Sequence, residues 1–313
     1  MEDFIFHEAE PEETKAFDFE PSLFHHPSHL DLQRTQGWKW FYVLHTKHGR
    51  IVASLNLHID GAVASSSIRS PFGTVECSND IPAEILYQFL GFVETRIRLL
   101  GIRKIIIKNP PIDYALERGA LLETFLFNLG YTVTDAEVGA VRFTNNDFAK
   151  GLNRLESRKL KKSGHASLSY HLLSNDKLEE VYSFILACRQ RKGYSLSMTL
   201  EDLARTMSRF PDRYVLSGVS LTEELVAASV AVRVTTNILY NFYADHAEAY
   251  DHLSPVVFLV KGLYAYCQQH KISMLDLGTS AVHGQPNFGL LNFKMRLGGK
   301  PSPKLTFEKN LTP

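Results

Sequence analysis

This chain repeats itself at the scale of a whole domain. In its first half Gly-Ile-Arg-Lys-Ile-Ile-Ile-Lys (Gly101 to Lys108) leads through a polar loop to Leu-Glu-Thr-Phe-Leu-Phe-Asn-Leu-Gly-Tyr (Leu122 to Tyr131) and a closing strand. In its second half His-Lys-Ile-Ser-Met-Leu-Asp-Leu-Gly (His270 to Gly278) leads through another polar loop to Leu-Leu-Asn-Phe-Lys-Met-Arg-Leu-Gly-Gly (Leu290 to Gly299) and a further closing strand. The glycines that end the two late helices, Gly130 and Gly298, stand 168 residues apart. Solenoid repeats have periods of roughly 20–50 residues, so this spacing is that of a domain. Two diverged α/β domains in tandem are the expectation, divided as residues 1–150 and 151–313. A tandem of this kind places a cleft between similar halves, and domain interfaces are favoured ligand sites.

The bulk numbers agree with two domains. A chain of 313 residues has room for about two units of roughly 150 residues each. With 44% hydrophobic and 22% charged residues, the composition is that of an ordinary globular protein with ample core. The formal net charge of +0 argues against a dedicated nucleic-acid binder, which needs a broadly basic surface, but leaves room for a local patch, and no DNA partner is expected. Three cysteines without Cys-x-x-Cys spacing give neither a disulfide framework nor a zinc knuckle, and they fit a reducing compartment. The N-terminal residues lack a basic region followed by an apolar core, and no apolar run reaches the ~20 residues of a membrane span. The expectation is a cytoplasmic protein without a transmembrane segment.

Turn and periodicity signals order the elements. His48-Gly49 and Asp60-Gly61 separate three strands in the first half. A helix follows from about Pro82 to Leu100, with Asp80 as its expected N-cap and Gly101 at its end. A buried strand (104–107), a helix (119–129) and a strand (132–144) follow. In the second half the basic stretch 151–164 precedes helices at 178–192 and 200–210 and strands at 214–219, 225–234 and 238–245. Ser254 then starts a helix with Pro255 at its first position, followed by a strand (274–277), a helix (289–297) and a last strand (304–308). Each half thus reads as antiparallel strands, helix, strand, helix, strand, and not as the alternating βαβα of a doubly wound fold.

That order resembles the GNAT acyltransferase fold, and the tandem resembles the Fem-type peptidoglycan aminoacyltransferases and FemAB-like proteins. The segments carrying the resemblance are Tyr243-Ala-Asp-His-Ala-Glu-Ala-Tyr250, Ser254-Pro255, Leu275-Asp-Leu-Gly-Thr-Ser280 and Asn292-Phe-Lys-Met-Arg-Leu-Gly-Gly299, with Ser70-Pro71-Phe72-Gly73 in the first half. The implied fold class is α/β (α+β), two GNAT-like domains each with a mixed, mostly antiparallel sheet flanked by helices. The implied function is transfer of an acyl or aminoacyl group to an amine, with a small molecule or cell-wall precursor as acceptor and acyl-CoA or aminoacyl-tRNA as donor. No resident cofactor is required. The glycine-rich pyrophosphate loop of CoA-binding relatives is replaced by Glu248-Ala-Tyr-Asp-His-Leu-Ser254, which favours the Fem-like branch, although its tRNA-binding coiled-coil insertion is missing here. A CoA-dependent N-acetyltransferase and a non-catalytic tandem used as a binding module are the alternatives.

Acyl transfer to an amine needs an unprotonated nucleophile and donors for the developing oxyanion. Tyr243 and Asp245, ending a hairpin strand, are read as an acid or substrate contact and as the group that orients the amine. Their plainer reading is an amphipathic aromatic and a turn aspartate. Asp276 interrupts an apolar strand, where a carboxylate is costly unless paired or solvated. It is either a base or amine anchor, or a cap on the Thr279-Ser280 turn. Lys294 is read as reaching a phosphate or the transferred carbonyl, and otherwise as a snorkelling helix lysine. Ser280, Arg158, Lys159 and Lys162 are assigned to substrate binding, the last three within a basic cluster that a solvated linker helix would also explain. His25, His26 and His29 are broken by Pro27 and joined by no cysteine or carboxylate, so no metal site is expected. No serine-hydrolase elbow, P-loop or dinucleotide fingerprint occurs.

Overall fold

The periodicities resolve into fifteen strands and eight α-helices in a computed structural model that describes residues 3–12, 14–34, 36–282 and 284–311. The chain divides into two units, Met1–Val138 with Ser302–Pro313, and Gly139–Pro301.

Unit 1 contains β1 (Phe4–Glu8), α1 (Pro27–Gln33), β2 (Trp38–His45), β3 (Arg50–Asp60), β4 (Val63–Ser65), β5 (Glu76–Cys77), α2 (Ala83–Leu99), β6 (Lys104–Lys108), α3 (Leu116–Asn128) and the first part of β7 (Thr132–Phe143). The expected hairpin forms between β3 and β4, with Gly61 at φ 56°. Helix α2 starts at Ala83 behind Pro82, not behind an Asp80 side-chain cap, and no side chain caps it. Its buried stripe, Ile85, Leu86, Phe89, Leu90, Val93 and Ile97, packs with Phe41, Leu55, Leu57, Ile105 and Phe307 into one core.

The sheet of unit 1 runs β1-β2-β3-β4-β6, then the chain's last strand β15 (Lys300–Asn310), then β7. Its parallel pair, β4 with β6, aligns Val63–Ser65 with Lys104–Ile106. The sequence reading places residues 304–308 at the end of the second half and cuts the chain at 150. Pairing decides otherwise: β15 lies antiparallel to β6, with Phe307 opposite Ile107, and buries Phe307 completely in the core of unit 1.

Unit 2 contains the end of β7, α4 (Arg154–His165), β8 (Leu168–Leu173), α5 (Leu178–Arg191), α6 (Leu200–Arg209), β9 (Tyr214–Leu221), β10 (Glu224–Thr235), β11 (Ile238–His246), α7 (Pro255–Gln269), β12 (Met274–Thr279), a hairpin of β13 (Ala281–Val282) and β14 (Gln285–Pro286), and α8 (Phe288–Arg296). Strand order is β7-β12-β11-β10-β9-β8. Its parallel pair, β11 with β12, aligns Ile238–Tyr240 with Met274–Asp276. The core gathers Leu239, Val257, Val260, Leu263, Tyr264, Leu275 and Leu297. The buried Arg142 guanidinium donates to the carbonyl oxygens of Leu297 and Phe148 and lies over the Phe148 ring at 4.1 Å.

Each unit therefore has three antiparallel strands, a helix, a parallel strand and a second helix in the same order. Gly130 and Gly298 close the two late helices at φ 85° and 82°. Among the described residues no helix is long and apolar enough to cross a membrane, and Cys77, Cys188 and Cys267 are free thiols.

Candidate active site

The site is a seam in unit 2 where two parallel strands part. Strands β11 and β12 stay paired only as far as Tyr240 opposite Asp276. Beyond that point β11 continues to His246 and β12 to Thr279. The register between β10 and β11 also slips here: Val230 faces Tyr243 and Ala231 faces Asn241, which leaves Phe242 as an extra residue in a bulge. The strand ends diverge into a cavity of about 1060 Å³, lined by residues 240–246 of β11, Leu277–Thr279 of β12, the first turn of α7, and side chains of α4, α5 and α8.

In unit 1 the corresponding seam is filled by the chain itself. Beyond the pairing of β4 with β6, Ser66 N–H donates to Ile106 O (2.9 Å), Lys108 N–H donates to Ser66 Oγ (3.0 Å), and Gly73 N–H donates to Lys108 O (2.9 Å). A Cβ on Gly73 would lie 1.9 Å from the Ser66 carbonyl oxygen, so only glycine allows this approach. Phe72 and Thr74 are buried on either side of it. In unit 2 the described residues leave the seam open.

The side chains predicted as catalytic lie at that seam in different ways. Lys294, buried at 6% exposure, donates from Nζ to Gly278 O and Thr279 O, each at 2.8 Å. Burial pulls its ammonium down to about 8, with the Asp276 carboxylate opposing and the Arg189 cation adding to the fall. It lines the cavity with one of its three N–H groups outside these two bonds. Asp276 is buried and accepts from Gly278 N–H at 2.7 Å. It is not among the cavity-lining residues, so its geometry matches the turn-cap alternative: it shapes the β12 end on which Lys294 is anchored.

Tyr243 is buried on the cavity wall, but its hydroxyl is committed. It is 2.6 Å from Ser197 Oγ and accepts from Met198 N–H at 3.0 Å, holding the loop between α5 and α6. Its ring stacks on Phe242 at 3.9 Å between centroids, and the Arg189 guanidinium lies 5.5 Å above it. Asp245, also buried, accepts from Lys192 Nζ (2.6 Å) and His246 N–H (2.8 Å). Burial works to raise its carboxyl, yet the bonds from His246 and Lys192 prevail and hold it below the ordinary value.

The residues assigned to substrate binding separate. Lys159 lines the cavity and pairs with the fully buried Glu156 at 3.1 Å, which Arg296 also holds at 3.0 Å. Arg158 and Lys162 are exposed on α4 and are not among the lining residues. Ser280 is fully buried, its hydroxyl has no partner among the described residues, and its neighbours Thr279 and Ala281 reach the cavity.

Sequence reasoning missed Arg189, Lys192, His246 and Asp251, which line the same cavity. Only the last two had a usable signal: His246 lies within the Tyr243–Tyr250 segment and Asp251 directly follows it. Of the histidines near Pro27, buried His25 accepts from Thr74 N–H at 3.3 Å and exposed His26 caps α1, accepting from Ser28 N–H at 3.2 Å.

Known proteins share this fold. Residues 150–294 match a family described as an acetyltransferase (GNAT) domain. The structure is similar to that of FemX, at 11% identity over 93% of both chains with a TM-score of 0.70. It is similar to L-PGS from Bacillus licheniformis, at 13% identity over 90% of this chain and 86% of that one (TM-score 0.56). A tandem GNAT protein from the clavulanic acid biosynthesis pathway aligns at 13% identity over 88% and 83% (TM-score 0.51). The chain has the tandem GNAT fold. No curated protein matches it by sequence. The open seam of unit 2 falls inside the matched segment.

Proposed function

We propose that the protein is a Fem-like acyltransferase that moves an acyl or aminoacyl group onto an amine, working in the cytoplasm in its second unit. The observation that carries this reading is the open seam: two strand ends part around a cavity into which Lys294 brings an ammonium held by two carbonyls. A preorganised cation needs no reorganisation as charge develops on the carbonyl oxygen, which is the condition for effective oxyanion stabilisation. On the opposite wall the ionised Asp245 offers the acceptor amine an anionic seat. The acceptor is a small amine or a cell-wall-precursor amine.

For the donor, the turn that enters α7 is the discriminating element. Its residues form a 3-10 helix, Glu248–Leu253, and Asp251 lines the cavity. Acidic residues in place of a glycine-rich cradle repel a pyrophosphate. This favours an aminoacyl ester such as aminoacyl-tRNA over acyl-CoA. The match of residues 150–294 to an acetyltransferase domain keeps acyl-CoA as a second reading.

Full-length protein is incubated with aminoacyl-tRNA or acetyl-CoA and a lysine-containing wall-precursor peptide, and new amide is read by mass spectrometry. Product with one donor, lost in Lys294→Ala, supports the reading. A chain that consumes neither donor overturns it and leaves the binding-module alternative.

A further inference from the structure

We propose that His246 is the general base that frees the acceptor amine, with Asp251 as its positioning residue; this rests on the transferase reading above. His246 ends β11 on the cavity wall. Its Nε2 lies 2.6 Å from Asp251 Oδ1. A carboxylate only accepts, so this contact assigns the proton to Nε2 and leaves the lone pair of the neutral ring on Nδ1. That Nδ1 is 3.6 Å from Asp245 Oδ1, too far for a hydrogen bond. A lone pair and a carboxylate that face each other at this separation repel, and a cationic N–H donor between them converts repulsion into two attractions. Asp245 Oδ1 already accepts from Lys192 and from the His246 backbone. The pair therefore makes a seat for an ammonium in which one neighbour holds the charge and the other takes the proton.

The remaining charged groups around the seat are Arg189 on α5 and Lys192 just after it, with Lys159 of α4 and Lys294 of α8 also lining the cavity. Lys192 keeps Asp245 ionised, and Asp251 offsets the positive charge that His246 acquires. The step balances as follows. The acceptor ammonium gives one proton to Nδ1, and its nitrogen adds to the donor's carbonyl carbon. The new C–N bond forms as the donor's C–O or C–S bond breaks, and the leaving oxygen or sulfur takes the second nitrogen-bound proton. The imidazolium returns its proton to solvent.

Two measurements on the full-length protein test this. The first needs no substrate: ¹⁵N-histidine NMR should show His246 protonated at Nε2 in its neutral form, with that preference lost in Asp251→Asn. A ring protonated at Nδ1 overturns the proposal. The second uses the transfer assay above. His246→Gln should lower kcat by about 10²–10³-fold with donor KM within threefold, and leave the thermal midpoint near wild type. Imidazole should rescue His246→Ala in part. Should His246→Gln keep kcat within threefold while Lys294→Ala abolishes transfer, the base assignment fails and the transferase reading stands. If wild type transfers nothing, both fail together.

Discussion

Lys294 reaches from α8 to the end of β12 and places its Nζ 2.8 Å from the carbonyl oxygen of Gly278. A buried ammonium on neutral carbonyls, with a pKa of about 8 in place of the ordinary 10.5, ties stability to pH. Below pH 8 the lysine is protonated in the folded and unfolded chain, and the folded state carries the cost of burying it. Between about 8 and 10.5 the unfolded chain holds a proton that the folded chain has released, so stability rises with pH across that window. The full effect is about 3 kcal/mol. Urea unfolding of wild type and Lys294→Met at pH 7.5 and 10.5 should show wild type gaining relative to the variant. Transfer that needs the ammonium should fall as pH rises through about 8. An equal response of both proteins would contradict the buried charge.

Tyr243 and Ser197 join the cavity wall to the loop between α5 and α6, through 2.6 Å between Oη and Oγ and a second bond from Met198 N–H. Tyr243→Phe removes both while keeping the ring that stacks on Phe242. Ser197 is exposed and Met198 half-buried, so water replaces part of what is lost, and the cost should be about 1 kcal/mol. The loop contributes Gly193, Tyr194 and Ser195 to the cavity. Loosening it should raise KM several-fold with a smaller change in kcat, measured by steady-state kinetics beside thermal unfolding.

Much of this arrangement was legible from residues alone because it is local. Asp60-Gly61, Ser254-Pro255, Gly130 and Gly298 fix turns and helix ends within a few positions of themselves, and helical spacing marked the buried stripe of α2. Lys294 and Asp245 stood out as charges in apolar or strand-end contexts. What escaped was pairing over long separations. Lys192 meets Asp245 across 53 residues, and Lys104 meets Glu308 across 204. Neither α5 nor β15 carries a mark that names its partner. The same limit hides the pairing of β15 with β6, and the bond from Gly278 N–H to Asp276 also leaves no mark in the local sequence.

The plugged seam of unit 1 gives a paired test. Gly73→Ala sets a Cβ 1.9 Å from the backbone oxygen of Ser66, and a backbone neighbour held by its own ladder bonds yields little. The substitution should cost about 3 kcal/mol or more. Gly91 lies within α2, and a Cβ there meets nothing within 4 Å. Gly91→Ala should stabilise by about 0.5–1 kcal/mol, the helix-interior difference between the two residues. Denaturant titrations of both variants check the contrast, and similar effects of the two would mean that segment 66–74 does not fill the seam.

Lys271 occupies, after α7, the place that Gly101 occupies after α2. Both turn the chain through the left-handed region into the next strand, Gly101 at φ 76° and Lys271 at φ 56°. For glycine that conformation is free of a Cβ clash, whereas for lysine it carries roughly 1–2 kcal/mol of strain. Lys271 is exposed, and its amide donates to Gln268 O at 3.3 Å, a backbone bond that glycine retains. Lys271→Gly removes the strain but adds freedom to the unfolded chain, which offsets part of the gain. The net expectation is stabilisation by up to about 1 kcal/mol, or about 2–4 °C in the thermal midpoint for a unit of this size. The change lies in the turn before β12, outside the cavity, so transfer kinetics should be unaltered. A fall in the midpoint would show that the lysine side chain supplies a compensating interaction at this turn.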